Sequence, residues 1–199
     1  MMLSEVTPVP DAALPLEAFK AHLRLGTGFG EGSLQDSVLI GFLRAALAAI
    51  EKRTGKALLQ REFLCVVSRW RRTDAASLPI APVVAITAMT LFDAQGESTV
   101  LDLDVVRLES DSQQPRLHPQ GSCLRQPPRG GRLEIGMTAG LAVSWDALSQ
   151  DLAHAVLMLA AHYYEYRDDT GLHGGCMPFG VVSLVERYRQ VRLSLGGAA

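Results

Sequence analysis

Residues 155–161 read Ala-Val-Leu-Met-Leu-Ala-Ala, seven apolar residues in a row inside a helical period that runs from about Asp146 to Tyr166. A helix that is apolar on every side has to be covered on every side. Seven residues fall far short of the roughly 20 needed to cross a bilayer, so the covering must come from protein. The rest of the chain is therefore expected to wrap this segment. With 199 residues there is enough chain to do so. A chain of this size buries roughly 70% of the surface its unfolded form exposes, and it is expected to form one domain.

The flanking sequence supplies the wrapping elements. Residues 1–15 hold Pro8, Pro10 and Pro15 with no apolar period, and read as an extended N-terminal arm. Leu16, Phe19 and Leu23 then fall at helical spacing, which predicts a short helix to about Leu25. The stretch GTGFGEG (26–32) is glycine-rich, but it lacks the Gly-Lys-Ser/Thr of a P-loop and misses the GxGxxG spacing, so it reads as an interhelical loop. Ser33 can cap a second helix over 34–54, with Asp36 in its first turn and Gly55 as its stop. Leu34, Val38, Phe42, Ala45, Ala49 and Ile50 mark the face expected to be buried.

The texture changes at Leu58. LLQREFLCVVSRW (58–70) is rich in β-branched and aromatic residues and reads as a strand. Pro79 and Pro82 lead into a strand over 83–92. Residues 93–96 signal a turn, and 98–103 are expected to pair back as a hairpin. VVRLE (105–109) is a further short strand, 110–131 an irregular loop, and RLEIGMTAG (132–140) closes the block. After the long helix come a polar loop, RDDTGLHGGCMP, and a last helix opened by Pro178. The expected class is α+β, a helical bundle of about four helices with a β-strand insertion between the second and third main helices. The expected organisation is an arm at 1–15, one domain at 16–195 with its insertion at about 58–140, and a flexible tail at 196–199.

Charge and cysteine usage narrow the function. Nineteen basic and twenty-one acidic residues leave a net charge of −2, whereas a protein devoted to gripping nucleic acid is usually net basic. Cys65, Cys123 and Cys176 are odd in number and contain no CxxC, which argues against a disulfide framework and for a reducing compartment. The first residues lack the basic and apolar regions of a signal peptide, so a soluble protein made in the cytoplasm is expected.

The long helix carries the strongest chemical candidates, His154, His162 and Glu165. They share a broad helical face, with His162 about 80° and Glu165 about 20° from His154. The two histidines are separated by about 12 Å along the axis, too far for one metal ion. His162 and Glu165 form His-x-x-Glu, the reverse of the di-iron motif Glu-x-x-His, and no second helix repeats it. Amphipathic rings where a buried helix leaves the core explain His162, Tyr163, Tyr164 and Tyr166 without a metal. His173 and Cys176 are close in sequence but lie in a glycine-rich loop, and a Cys/His pair acts only when aligned. There is no GxSxG or HExxH motif. Cys65 reads as an inert core thiol. The expectation is therefore no enzyme, with no catalytic residue, metal ligand or cofactor. The alternative is a small metal-binding enzyme using the His162/Glu165 region, with His173 and Cys176.

Three arginine groups are left: Arg69, Arg71 and Arg72; Arg125, Arg129 and Arg132; Arg187, Arg189 and Arg192. The first group would serve a small DNA-binding module. The last is interleaved with Val185, Tyr188, Val191, Leu193 and Leu195, the arginine–tyrosine mixture that protein interfaces favour.

An ordered set of segments carries a family resemblance: LEAFKAHLRL (16–25), FLRAALAAIEKRTGKALLQREF (42–63), LPIAPVVAITAMTLFDAQG (78–96), LEIGMTAG (133–140), DLAHAVLMLAAHYYEYRD (151–168) and PFGVVSLVERYRQVRL (178–193). Together they resemble the phage head–tail connector (head-completion adaptor) proteins, including the adaptors of phage-like gene transfer agents. The resemblance implies a structural virion protein forming a ring of about twelve copies at the particle neck, after a spell in the host cytoplasm. Its partners would be the portal protein, a downstream head-completion or tail protein, and neighbouring copies. DNA would be passing cargo only, with no membrane involved. The portal-docking element of the family maps onto Tyr188, Arg189, Arg192, Leu193 and Leu195. The 26–32 and 110–131 loops match no shared pattern.

Overall fold

The structure is a computed structural model that describes residues 1–25, 32–167 and 177–189. Among these residues four α-helices form: α1 (Leu16–His22), α2 (Gly32–Thr54), α3 (Gln150–Glu165) and α4 (Phe179–Val185). They build one apolar cluster. Leu152, Ala155, Val156, Leu159 and Ala160 of α3 are buried against Leu39, Leu43, Ala46, Leu47 and Ile50 of α2, Phe19 of α1, and Val181 and Val185 of α4. The apolar run in α3 is thus covered by three other helices, as its composition demands. The inward face of α2 differs from the expected stripe. Val38 is 51% exposed and Ala45 is exposed, while Leu39, Leu43 and Ala46 turn inward. The packing of α3 selects a face about one residue round from the one that apolar spacing picks out.

The strands build a second, separate cluster. A five-stranded antiparallel sheet has the order β1 (Met2–Glu5), β2 (Arg61–Val67), β8 (Arg132–Ala139), β4 (Val83–Phe92), β5 (Ser98–Val100). Its central strand, β8, alternates with Leu133, Ile135, Met137 and Ala139 inward, matched by Phe63, Cys65 and Val67 of β2. That is the period-2 pattern of a sheet with one face covered. The cover includes a three-stranded sheet, β3 (Ala76–Ser77), β7 (Arg116–Pro119), β6 (Val106–Glu109), through Leu117 and neighbouring Leu78 and Leu124. The predicted hairpin is present. Thr90–Phe92 pairs with Ser98–Val100, and the turn is closed by Asp93, whose carboxylate accepts the backbone N–H of Gln95 and Glu97.

The expectation of a helical bundle carrying a β-insertion is corrected here. Strand makes up about 27% of the described residues against about 36% helix, more than such a bundle implies. Among the described residues eight strands form two antiparallel sheets around a core of their own. Nor are they confined between the second and third helices, because β1 precedes α1 and pairs along β2 from Met2↔Val66 to Glu5↔Phe63. Four isolated residues with no apolar alternation carry no strand signal; pairing with β2 creates the strand. The stretch 110–131 likewise holds β7, whose inward Leu117 is fully buried.

Two joints weld the clusters. The backbone of 57–60 bonds to residues 141–142, with Ala142 N–H donating to Leu58 O at 3.1 Å and Gln60 N–H donating to Ala142 O at 2.8 Å. Beside it, the Arg61 guanidinium donates to both oxygens of Glu51 at 2.9 and 2.7 Å and to Glu5 at 2.5 Å. One side chain therefore ties β2 to the end of α2 and the end of β1.

Candidate functional site

The C-terminal helix continues into a 3-10 turn, Glu186–Tyr188, which lies against the start of α3. The Tyr188 hydroxyl sits 2.9 Å from each oxygen of the Asp151 carboxylate, to which it donates, and 3.0 Å from Ser149 Oγ. Arg187 donates to the same hydroxyl at 2.6 Å and forms an ion pair with Asp151. Partial burial would raise the Asp151 pKa. The hydroxyls of Ser149 and Tyr188, the Leu152 N–H and the Arg187 charge outweigh that, and the carboxyl is held below its ordinary range. Asp151 thus stays ionised and clasps the chain at the point where the C-terminal segment departs. Arg189 is exposed and bonds Glu186 at 2.7 Å. Arg192, Leu193 and Leu195 lie outside the described residues.

The histidines of α3 go to different neighbours. His154 meets the ring of His22 on α1 edge-on, with centroids 6.1 Å apart. His162 packs on Tyr166 at 4.7 Å. Among the described residues no group of three or more His, Cys, Asp or Glu is placed to hold a metal ion. His173 and Cys176 lie outside those residues. Cys65 is fully buried, and desolvation pushes its thiol up to about 11, so it is protonated at neutral pH.

The first arginine group occupies the loop after β2. Arg69, Arg71 and Arg72 line a cleft of about 600 Å³ together with Met1 and Trp70. Trp70 anchors this loop by donating its indole N–H to Arg125 O at 3.2 Å, and Gln126 holds both backbone groups of Trp70 at 3.0 Å. Arg72 is paired with Asp74.

No protein-family model and no curated protein matches the chain. Solved structures do. The chain is 50% identical to a chain in the neck of an empty gene transfer agent (GTA) particle computed with C6 symmetry, with a TM-score of 0.88 over 98% of this chain and 99% of that one. It is 47% identical to a chain in the neck of a native GTA particle computed with C12 symmetry, with a TM-score of 0.83 and the same coverage. A chain in the virion of a native GTA particle matches at 50% identity and a TM-score of 0.85. This chain belongs to the head–tail connector family.

For a head–tail connector the informative surfaces are contacts, and two of them escaped the sequence. Ser149 and Asp151 sit 39 and 37 residues before Tyr188, and no local pattern links them. The connector's Arg61–Glu51–Glu5 triad is equally non-local. Arg61 and Glu51 are ten residues apart, but Glu5 is 56 residues from Arg61. A weak signal did exist for Asp151. An acidic residue in the first turn of a helix is a common partner of the N-terminal dipole, and here it doubles as the anchor of a tyrosine.

Proposed function

We propose that this chain is a structural protein of the neck of a phage-like gene transfer particle, where about twelve copies form a ring joining the portal to the next head-completion or tail protein and leave a passage for DNA. The observation that carries this reading is the 50% identity, over 98% of the chain, to a subunit of a GTA particle neck. The C12 symmetry of a second such neck supports the ring and its copy number.

The geometry suits the role. A ring subunit has to hold its shape under lateral load, and two cores welded by backbone bonds and a half-hidden ion triad resist relative movement. It also has to present a docking element at a defined place. Tyr188, clasped by Asp151 and Arg187, roots that element at the start of α3, and Arg189 opens it. Arg192, Leu193 and Leu195 follow and complete the portal-binding segment, arginine supplying forked hydrogen bonds and leucine apolar area. The near-neutral chain fits a DNA conduit, because a strongly basic wall would hold DNA through many phosphate contacts.

Electron microscopy of particles from a producer strain lacking this gene tests the reading. DNA-filled heads without tails are expected; normal tailed particles would refute it. At the residue level, a chain ending at Glu186 is expected to stay folded by circular dichroism yet fail to bind purified portal. Portal binding at full affinity would remove the docking assignment.

A further inference from the structure

We infer that neighbouring copies of this chain meet edge to edge across the five-stranded sheet, the β1 edge of one copy against the β5 edge of the next. This inference rests on the ring reading above and names the two surfaces that close the ring.

The sheet ends in two open strands. Among the described residues β1 is paired only with β2, and β5 only with β4. Such edges present unpaired N–H and C=O groups and invite another chain. Four antiparallel pairings separate β1 from β5, so the two edges run in the same direction. Two different edges of one subunit can meet head to tail at every contact of a cyclic ring, and the equal direction makes the new pairing parallel.

The two edges also match in side chains. The register Met2↔Val66, Val66↔Glu134, Glu134↔Thr90, Thr90↔Val100 puts Met2 and Val100 on one row at opposite ends. Both are exposed, Met2 at 63% and Val100 at 78%. Covering this pair gives an apolar centre to the contact.

Charge sets the polarity. Beyond the end of β2, on the β1 side, residues 68–75 hold Arg69, Arg71 and Arg72 against one acid, Asp74. Arg69 and Arg71 are exposed and have no ion-pair partner among the described residues. On the β5 side, the turn of residues 93–97 holds Asp93 and Glu97 and no base. Glu97 stands at the same end of the sheet as the arginines, immediately before Ser98, which pairs with Phe92 and through it with Arg132. Glu97 is exposed and likewise has no ion-pair partner among the described residues. At this end of the sheet the exposed charge beyond β2 is basic and the exposed charge before β5 is acidic. Complementary potentials of this kind select partner and register.

Charge reversal tests the contact in particles from the producer strain lacking the gene, complemented with each variant. One variant carries Arg69→Glu and Arg71→Glu; the other carries Glu97→Lys. Each alone would set like charges against each other at every contact, and tailed particles should fall about tenfold or more. The chain carrying all three substitutions should restore tailing. So should co-expression of the two variants, because an alternating ring pairs reversed edge with reversed edge. Unchanged urea midpoints would show that the variants fold. Full tailing by each variant alone would overturn the inference and leave the ring standing. Loss that neither the combined variant nor co-expression restores would also overturn it, since the edges would then face something other than each other. Normal tails in the strain lacking the gene would remove the neck function itself, and this contact with it.

Discussion

Replacing Glu51 by alanine removes the partner that holds Arg61 in the joint between the two cores. The guanidinium is 8% exposed and the Glu51 carboxylate 14%. Desolvation alone would push the Arg61 pKa down. The bonds and charges of Glu51 and Glu5 outweigh it, and the pKa is raised. Glu51→Ala deletes two charge-assisted bonds to Arg61 and leaves the guanidinium with Glu5 and the Leu59 carbonyl. It also deletes the acceptor of the Leu58 N–H, now bonded at 2.8 Å. Breaking a buried pair from one side costs about 3–5 kcal/mol. Glu5 remains, so the lower end, about 3 kcal/mol, is expected. Glu51→Ala with Arg61→Met should cost less than the two single changes summed, because no orphaned charge is left; a coupling of about 2 kcal/mol is expected. Urea unfolding at pH 7, followed by circular dichroism with an unchanged m-value, measures both quantities. A loss under about 1 kcal/mol for Glu51→Ala, the range of exposed surface pairs, would refute the reasoning. The triad would then be screened by water, and apolar packing alone would join the cores.

Three further outcomes can be measured directly. Gly140 has φ +149°, and a Cβ there would lie 2.5 Å from the backbone of Gln60; Gly140→Ala should cost about 3 kcal/mol, read as a lower urea midpoint, since backbone must move to admit it. Cys123 is exposed and Cys65 buried, so a thiol reagent at pH 8, with sites mapped by mass spectrometry, should label Cys123 in the native protein and Cys65 only after unfolding. Tyr188→Phe removes the hydroxyl from Asp151 at a cost of about 1 kcal/mol and should speed proteolysis of the C-terminal segment. Because the folded Asp151 pKa is depressed, its contribution is complete above the ordinary carboxylate pKa and is lost as pH falls through the lower folded value. Wild-type protection should therefore fall only in acid, and Tyr188→Phe should flatten that dependence.

Local periodicity in the sequence was enough to find α1, α2, α3 and α4, the β4–β5 hairpin, and strands β2, β6 and β8. Each of those signals lies within one element: helical apolar spacing around Phe19, the seven apolar residues of α3, the alternation of Leu133, Ile135 and Met137, the turn at Asp93–Gly96. The family was legible too, because six such segments occur in a characteristic order. The proposed portal-docking segment rests on the family resemblance and on composition, Tyr188 and Arg189 with the arginine and leucines that follow.

Tertiary structure decided what periodicity could not encode. Met2–Glu5 becomes a strand only when β2 offers it an edge 60 residues away, and Arg116–Pro119 only when β6 and β3 flank it. The first of these pairings gives the five-stranded sheet one of its edges and places Met2 on the row of Val100. The inward face of α2 was chosen by the shape of α3, and the partner of Tyr188 by the fold that carries it to Asp151. In each case the deciding free energy comes from a contact between residues distant in the chain, and no window of sequence contains both of them.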